Sequence, residues 1–326
     1  MKRCMRTSFS FLALAASLTA PAAALYTASE VVEYRSGMEP PGAFSSPSAA
    51  LGLPSEITGS SPWDGNYSAF NAHYAPAEIV QIGPGGRLTL RLERFVRIEP
   101  GHRHLGVWEN VFLVAGSDGL VGNPPGVFGE DSAVVEVSAN GTDFVSVGVI
   151  HFNRFGNYWA DSLGPYSKTS GSIRADFGRP FLGNLSALAG ADYGKVLEFL
   201  DGTAGGTWID LSQSGLEKVG WVRFSGVAPG LTLEIDAVAI NTSLAAEPTV
   251  KPRLAINPAQ PAHVILASTA RHATYQLQIA DDLSSGWRNH GDALPGTGGE
   301  LAFHDPDIGQ TNSRAPLRRF YRVLLP

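Results

Sequence analysis

Short runs of alternating apolar and polar residues, separated by Gly, Pro, Asn and Asp, recur along the whole chain. In the segment 87–93, Leu88, Leu90 and Leu92 alternate with polar or charged residues, which is typical of a strand with one buried face. Long helical periodicity is missing, and the segment 193–200 alone has the spacing of a short helix. Because recurring short alternation indicates strands joined by turns, the sequence predicts an all-β fold with a β-sandwich as its main unit.

One hairpin can be located from its turn residues. Asn140-Gly141 separates the apolar-rich runs 135–137 and 144–149. Both turn residues tolerate the positive φ that a tight turn requires, so the sequence predicts a β-hairpin at this point. Further strands are predicted at 220–224, 231–240, 263–267, 274–279 and 320–325.

The first 24 residues have the composition of a signal peptide. Three basic residues precede an apolar run at 9–18, and alanines at 22–24 supply the small residues of a cleavage site. The apolar run is shorter than the ~20 residues that span a bilayer, which favours cleavage after Ala24 over a retained anchor. We therefore expect an exported protein that is extracellular, cell-surface or periplasmic, without a transmembrane anchor in the mature chain.

The mature chain is expected to contain no cysteine, because the only one, Cys4, lies in the predicted signal peptide. A large apolar core must then stabilise the fold without disulfides. A polar, proline-bearing stretch separates two strand-rich regions. The predicted organisation is a signal peptide at 1–24, a large β-sandwich domain at 25–245, a linker at 246–252 and a small β-sandwich domain at 253–326.

The mature chain is acidic. Removing the three basic residues of the signal peptide from the 24 Lys and Arg leaves 21 against 30 Asp and Glu, a formal charge of −9. Phosphate binding needs a clustered basic face, and the basic residues are scattered apart from Arg314, Arg318 and Arg319. We interpret those three as charges on a solvated strand edge, so nucleic acid is not an expected partner.

A histidine-containing segment offers one candidate metal site. His102 and His104, followed by Glu109, match the first metal-binding motif of the cupins. Two imidazoles on one strand face, together with a carboxylate, suit a transition metal. The companion cupin motif, a later Pro-x-Gly followed by a histidine, is absent, so a chance match in an exposed loop is the alternative interpretation.

The segment 233–239 offers a second candidate, built from carboxylates. Glu234 and Asp236 are placed on one strand face, as in the Glu-x-Asp-x-x-Glu strand of laminarinase-like glycoside hydrolases. Ala239 stands where that family has its general acid, which removes the family's reaction scheme. Such oxygen ligands also suit Ca²⁺, and a structural calcium ion held by Glu109, Glu234 and Asp236 is the cofactor hypothesis. Carboxylates that simply face water are the alternative.

Aromatic residues in polar, loop-like segments are the candidate ligand-binding residues. The four selected as binding residues are Trp63, Tyr67, Tyr158 and Trp159, and Phe70, Tyr74 and Tyr166 have similar surroundings. β-Sandwich proteins that bind glycans commonly use exposed aromatic rings. Burial in the core is the alternative use of each ring.

Several segments resemble a group of bacterial secreted or cell-surface proteins of unassigned activity, often found with PEP-CTERM-type sorting tails. The resemblance spans most of 28–241 and includes Val31–Tyr34, Ser48–Gly52, Ile79–Leu90, Val107–Asn110, Val135–Phe144, Gly190–Tyr193, Asp201–Thr207 and Glu234–Val238. It implies a galactose-binding-like or concanavalin-like jelly roll with a surface role, and it implies no reaction.

The C-terminal region is similar to the fibronectin type III-like tails of related secreted proteins. The similarity lies in Tyr275–Gln278, Asp282-Leu283, Trp287 and Phe320–Val323. The sequence ends at Pro326 without a hydrophobic sorting helix, so we expect free secretion or periplasmic residence.

The leading functional hypothesis is a noncatalytic exported binding module whose partner is an extracellular glycan or a cell-surface component. The sequence contains no nucleophile elbow, phosphate loop or dinucleotide fingerprint. A cupin-like metal enzyme or a glycan-cleaving enzyme is the second hypothesis. A purely structural surface or matrix protein is the third.

Overall fold

The computed structural model describes residues 25–38, 42–59, 64–226, 232–249, 253–256, 263–267, 269, 274–282, 286–297, 300–305 and 319–324. The predicted signal peptide and Trp63 lie outside these residues. Within them the chain is mostly β and its named strands pair antiparallel, in several sheets. The all-β prediction is therefore confirmed.

Six antiparallel strands form the first sheet: β1 (Ala28–Arg35), β5 (Arg87–Arg97), β9 (Asp131–Ser138), β10 (Val145–Phe152), β12 (Lys218–Gly226) and β14 (Ala245–Pro248). The order across the sheet is β1, β5, β12, β9 and β10, and β14 also pairs with β5. Part of the segment predicted as a linker therefore lies in a strand of this sheet. The strands predicted at 87–93 and 220–224 fall within β5 and β12.

Four antiparallel strands form the second sheet: β4 (Val80–Ile82), β6 (Leu105–Glu109), β11 (Thr207–Ile209) and β13 (Leu233–Ile240). Their order is β11, β6, β13 and β4. Two smaller pairs lie outside both sheets: β2 (Ile57–Thr58) pairs with β3 (Gly65–Asn66), and β7 (Phe112–Leu113) pairs with β8 (Val127–Phe128).

The two sheets share a hydrophobic core, as expected of a sandwich. Leu88, Leu90 and Leu92 of β5 are fully buried in it, as predicted, although Thr89 and Glu93 on the opposite face of the strand are buried as well. Val107 of β6 and Ile235 of β13 contribute from the opposite sheet. Burial of such side chains is worth roughly 1.5–3 kcal/mol each, so this core is a main source of stability.

The second sheet is covered on its other face as well. All five residues of β6 are buried, and Trp108 projects into a second core together with Trp208 of β11. Loop residues complete this core, which we call the loop-layer core: Tyr67, Phe70, Phe155, Phe177 and Phe181 are among them. The second sheet therefore lies between the first sheet and a layer of loops.

A short helix belongs to the loop layer. α1 (Tyr193–Leu200) begins after Asp192, whose carboxylate accepts a hydrogen bond from the backbone N–H of Lys195 at 2.8 Å. Val196 and Leu200 are buried against the loop-layer core, as the predicted amphipathic spacing requires. Four 3₁₀ turns lie at Pro47–Ala50, Leu185–Leu188, Ser212–Ser214 and Thr242–Leu244.

The predicted hairpin joins β9 and β10, which pair antiparallel. Its turn contains Gly141 at a φ of +81°, a conformation that strongly favours glycine. The Asn140 side chain closes the turn by accepting hydrogen bonds from the backbone N–H groups of Thr142 and Asp143, each at 2.9 Å. The hairpin is therefore confirmed, but its connection runs over residues 139–144 and only Gly141 of the Asn-Gly pair has a positive φ, so the turn is longer than predicted.

The described C-terminal strands pair only with one another: β15 (Arg253–Ile256), β16 (His263–Ala267), β17 (Thr274–Ala280), β18 (Arg288–Asn289), β19 (Leu294–Pro295), β20 (Leu301–His304) and β21 (Phe320–Leu324). A small core of Val264, Tyr275, Leu277 and Phe303 lies among them. The expectation of a solvated Arg319 is wrong, because its guanidinium lies 2.8 Å from a carboxylate oxygen of Asp305, a fully buried residue.

The described part of the chain contains one α-helix, of eight residues, and four 3₁₀ turns. None is both long enough and apolar enough to cross a bilayer.

Candidate functional site

A surface pocket of about 250 Å³ combines aromatic and amide side chains. We call it the aromatic–amide pocket, and its lining residues are Phe70, Asn71, Ala72, Tyr74, Asn110 and Phe112. The first four come from the loop between β3 and β4. The last two come from the connection after β6 and from β7, so two distant chain segments build the pocket together.

Each of two aromatic residues that line the pocket packs against a further ring outside it. Phe70 is nearly buried and packs edge-on against Tyr193, with ring centroids 6.1 Å apart. Phe112 contacts the Phe128 ring at 5.3 Å, and Phe128 is 63% exposed. The Phe128 ring is therefore accessible to solvent beside the pocket.

Backbone contacts hold the two segments at the pocket in register. The N–H of Leu113 donates to the carbonyl of Ala69 at 2.7 Å. Asn110 is fixed in turn by its side chain, whose Nδ2 donates to Oε2 of Glu234 at 3.1 Å. Gly129, at a φ of +83°, passes so close to the Asn110 carbonyl that a Cβ there would clash, which requires glycine at this position.

Three acidic residues near Asn110 influence one another electrostatically, and we call them the carboxyl cluster: Glu109 of β6, Asp131 of β9 and Glu234 of β13. Burial raises the pKa of Asp131 to about 7, and the Glu234 carboxylate adds to this effect. The backbone N–H of Glu234 acts on Asp131 and lowers its pKa slightly. Burial first, and then the charges of Asp131 and Glu234, hold the pKa of Glu109 well above its usual range.

Glu109 is the most unusual member of the cluster. It is 2% exposed, and neither of its carboxylate oxygens has a hydrogen-bond partner in the described part of the protein. A buried polar group left in this state costs about 1–3 kcal/mol, and more if it is charged. Folding alone gives no reason to keep such a side chain on a central strand.

A second buried polar group lies on the loop side of β13. His73 Nδ1 is 2.7 Å from Asp236 Oδ2, and its Nε2 is 2.8 Å from the Ser55 carbonyl. Burial lowers the pKa of His73, but the Asp236 carboxylate outweighs it and raises that pKa above its usual value. Because a carbonyl only accepts hydrogen bonds, Nε2 must carry a proton, and the ring is a donor at this position.

Comparison of this chain with protein-family models and with curated proteins gives no significant match. The arrangement of the side chains is therefore the basis for the functional conclusion.

Of the four aromatic residues predicted to bind ligand, the structure describes three, and these three differ in burial and surroundings. Tyr67 is 1% exposed and packs on the His73 ring, because the loop layer covers the outer face of the second sheet. Tyr158 and Trp159 are half-buried and contact each other at 5.1 Å. Trp63 lies outside the described residues, so its selection stays a prediction.

Neither predicted metal-binding set is assembled. Within the described ranges no group of three or more His, Cys, Asp or Glu side chains is placed to hold a metal ion. Asp236 pairs with His73, whereas Glu234 meets Asn110. A β-bulge between Ile235 and Ala237 interrupts the regular alternation on which the shared face of the two carboxylates was predicted.

The predicted set of His102, His104 and Glu109 does not come together, because the length of β6 lies between the two histidines and Glu109. His104 is fully buried, and its ring nitrogens lie 3.1 and 3.0 Å from the backbone nitrogens of Glu99 and Leu211, whereas His102 is exposed. Glu109 stands at the far end of β6, five residues on, which is roughly 16 Å along an extended strand. The cupin-like spacing therefore does not produce a shared site.

Sequence reasoning missed Asn71, Asn110, Phe112 and Asp131 as residues of the site. Asn110 directly follows Glu109 within the segment shared with the resembling family, which was its one available signal. Phe112 and Asp131 enter the site only through pairing and packing across the fold, and local sequence does not encode that.

Replacing Glu109 with glutamine is expected to make stability less dependent on pH. The folded-state pKa of Glu109 is raised above 4.5, so the unfolded chain releases this proton at lower pH than the folded chain. The native protein therefore loses stability as pH rises above about 4.5, by up to about 1.4 kcal/mol per pH unit for one proton. Glutamine does not titrate, so the free energy of unfolding of the variant should fall less than that of wild type as the pH rises. Urea unfolding between pH 4.5 and 8 measures both.

The matched control for this experiment is Glu198→Gln, since Glu198 is exposed on α1. Its stability should follow wild type at every pH. A Glu109→Gln variant that loses stability with pH as steeply as wild type would show that Glu109 is ionised in the native protein.

Proposed function

We propose that this protein is a noncatalytic, exported carbohydrate-binding module whose ligand occupies the aromatic–amide pocket. The observation that carries the proposal is the combination of Tyr74 and Phe112 with Asn71 and Asn110 in one pocket. Aromatic rings stack against the C–H faces of sugars, and amides both donate to and accept from hydroxyl groups. This mixture suits a ligand that is apolar on its faces and polar around its edge.

The size of the pocket limits the ligand. Its volume of about 250 Å³ is below the ~300–1,000 Å³ of sites that enclose drug-sized molecules. We therefore propose that it takes one sugar unit or a chain end, and that Phe128 contacts the next unit.

We also propose a specific fold for each region and a location outside the cytoplasm. The first and second sheets are proposed to form a jelly roll, supported by their antiparallel strands and shared core. The C-terminal strands are proposed to form a fibronectin type III-like sandwich. Export is supported by the signal-peptide composition of residues 1–24.

Replacing Phe112 with alanine is expected to weaken saccharide binding about tenfold, because removing one stacking ring costs on the order of 1.4 kcal/mol. Glycan-array screening of wild type identifies the saccharide, and titration calorimetry then measures the dissociation constants of both proteins. Tyr166→Ala is the matched control, since Tyr166 is 55% exposed and lies outside the pocket. Wild type that retains no saccharide, or a Phe112→Ala variant that binds as wild type does, would refute the proposal.

A further inference from the structure

β10 is an open edge of the first sheet. Within the described part of the chain it pairs with β9 alone, and no backbone–backbone hydrogen bond links residues 145–152 to any other segment. An edge strand presents a row of N–H and C=O groups that can pair with a further strand. On β10, Val149 is 53% exposed and Val145 is 36% exposed. Both the backbone and the side chains of this edge are therefore accessible.

β10 lacks the side chains that usually protect an edge strand. Edge strands are commonly protected against further pairing by charged residues or proline. The segment Val145–Phe152 contains no Asp, Glu, Lys, Arg or Pro. The opposite edge of the same sheet differs, because β1 carries Glu30, Glu33 and Arg35, and the Arg35 guanidinium lies 3.0 Å from the Glu33 carboxylate. One edge of the sheet is protected by charge, whereas the other is not.

A β-bulge confines the accessible edge to one part of β10. The register with β9 shifts between Ser146 and Gly148, and Gly148 has a φ of +108°. A bulge bends its strand and disrupts further pairing at that point. Beyond it, Val149 to Phe152 follow β9 in unbroken register. The segment 149–152 is therefore the part of the edge that is suited to pairing.

A groove of about 470 Å³ borders this segment. Val149, Ile150 and His151 line it together with residues of β11, which is the edge strand of the second sheet. Arg103, which is exposed, and Asp210, which is half-buried, also line the groove and do not form an ion pair with each other. The groove therefore lies between the edges of the two sheets and contains one charge of each sign.

We propose that β10 is the contact surface between two copies of this chain, whose segments 149–152 pair antiparallel about a twofold axis. The observation that carries the proposal is the uncharged, unprotected edge strand beside a groove that contains opposite charges. The inference is independent of the proposed saccharide function, because no residue of β10 lines the aromatic–amide pocket.

The charges favour a second copy over a peptide of another protein. In a twofold contact a surface patch meets its own copy in reverse order. Like charges placed opposite each other destabilise a strand pair, and two β10 strands bring none together. In the groove, the reversed order can set Arg103 of one copy against Asp210 of the other. A strongly acidic or basic peptide would instead place a like charge against one of these two side chains.

The test is analytical ultracentrifugation of the full chain at up to about 100 µM, which saturates a contact with a micromolar dissociation constant. We expect wild type to sediment as a dimer at the highest concentration and as a monomer on dilution. Val149→Lys places like charges near the twofold axis and should raise the dissociation constant at least about tenfold. Wild type that stays monomeric, or a folded Val149→Lys variant that dimerises as wild type does, would overturn the inference.

The matched control is Val32→Lys on β1, because Val32 is 48% exposed at the opposite edge of the same sheet. This variant should dimerise as wild type does. Far-UV circular dichroism establishes that both variants are folded. Equal loss of the dimer in Val32→Lys and Val149→Lys would show that association does not depend on β10.

Hydrogen exchange locates the contact without any substitution. Backbone amides of 149–152 should exchange more slowly at about 100 µM than at about 1 µM, because outward N–H groups become paired in the dimer. Amides of β1 should exchange equally at both concentrations. Protection that increases with concentration on β1, and not on β10, would overturn the inference.

Discussion

Replacing Trp108 with alanine is expected to lower the free energy of unfolding by about 3–5 kcal/mol, the usual range for a buried tryptophan. Trp108 is fully buried and contacts the rings of Phe177 and Trp208 at centroid distances of 5.1 and 5.9 Å. Its Nε1 donates to the Ala204 carbonyl at 3.0 Å, and the substitution leaves that acceptor without its donor. Urea unfolding followed by circular dichroism measures the loss.

The control for this substitution is Leu163→Ala, because Leu163 is 82% exposed. Its effect should stay within about 0.5 kcal/mol, as is usual for surface positions. A loss below about 1 kcal/mol for Trp108→Ala would mean that the loop layer is not packed on the second sheet.

Replacing His73 with alanine is expected to cost about 3–5 kcal/mol at pH 7, because it leaves the buried carboxylate of Asp236 without its partner. The raised folded-state pKa of His73 means that its contribution is fully present below pH 6.5 and is lost as the pH rises through that raised value. Between pH 4 and 7 this loss has only begun, whereas burial raises the pKa of Asp236, so that in the variant Asp236 takes up a proton as the pH falls. The second effect acts over more of this pH range, so the cost should be smaller at pH 4 than at pH 7. Unfolding curves at the two pH values measure the difference.

The matched control is Glu198→Ala, which breaks the exposed Lys195–Glu198 pair on α1, where the charged atoms lie 2.6 Å apart. Exposed pairs contribute about 0–1 kcal/mol, so this change should be small at both pH values. If His73→Ala and Glu198→Ala had equal effects, the buried pair would have no special role in stability.

Much of the fold follows from local pattern. The alternation of Leu88, Leu90 and Leu92 predicted β5, and Asn140-Gly141 predicted the hairpin of β9 and β10. These features are local because a strand records its buried face in a period of two, and a tight turn records its backbone conformation in its residues.

The second sheet shows why local pattern was not sufficient. Its strands β6 and β13 are buried on both faces, so their residues do not alternate between core and solvent. The sequence predicted Glu234 and Asp236 on one strand face and Tyr67 in a polar, loop-like segment, because nothing local records the loop layer or the β-bulge. Tertiary packing decided these positions.

The candidate site depends on contacts between distant segments. Phe70 and Phe112 are separated by about forty residues, and Asp131 reaches Glu234 across more than one hundred. The sequence supplied Glu109 and Glu234 as candidates, and the pairing of β6 with β13 placed them near each other. Asn110 is identified as a site residue by its two contacts in the structure, because it lines the pocket and its side chain donates to Glu234.

The most direct test of the central claim is the NMR response of asparagine side-chain amides to a saturating saccharide. If the aromatic–amide pocket binds the ligand, the side-chain amide resonances of Asn71 and Asn110 should shift, while that of Asn140, held in the hairpin turn by Asp143, should not. Shifts centred instead on the groove that contains Val147, Val149 and His151, with Asn71 and Asn110 unchanged, would contradict the account.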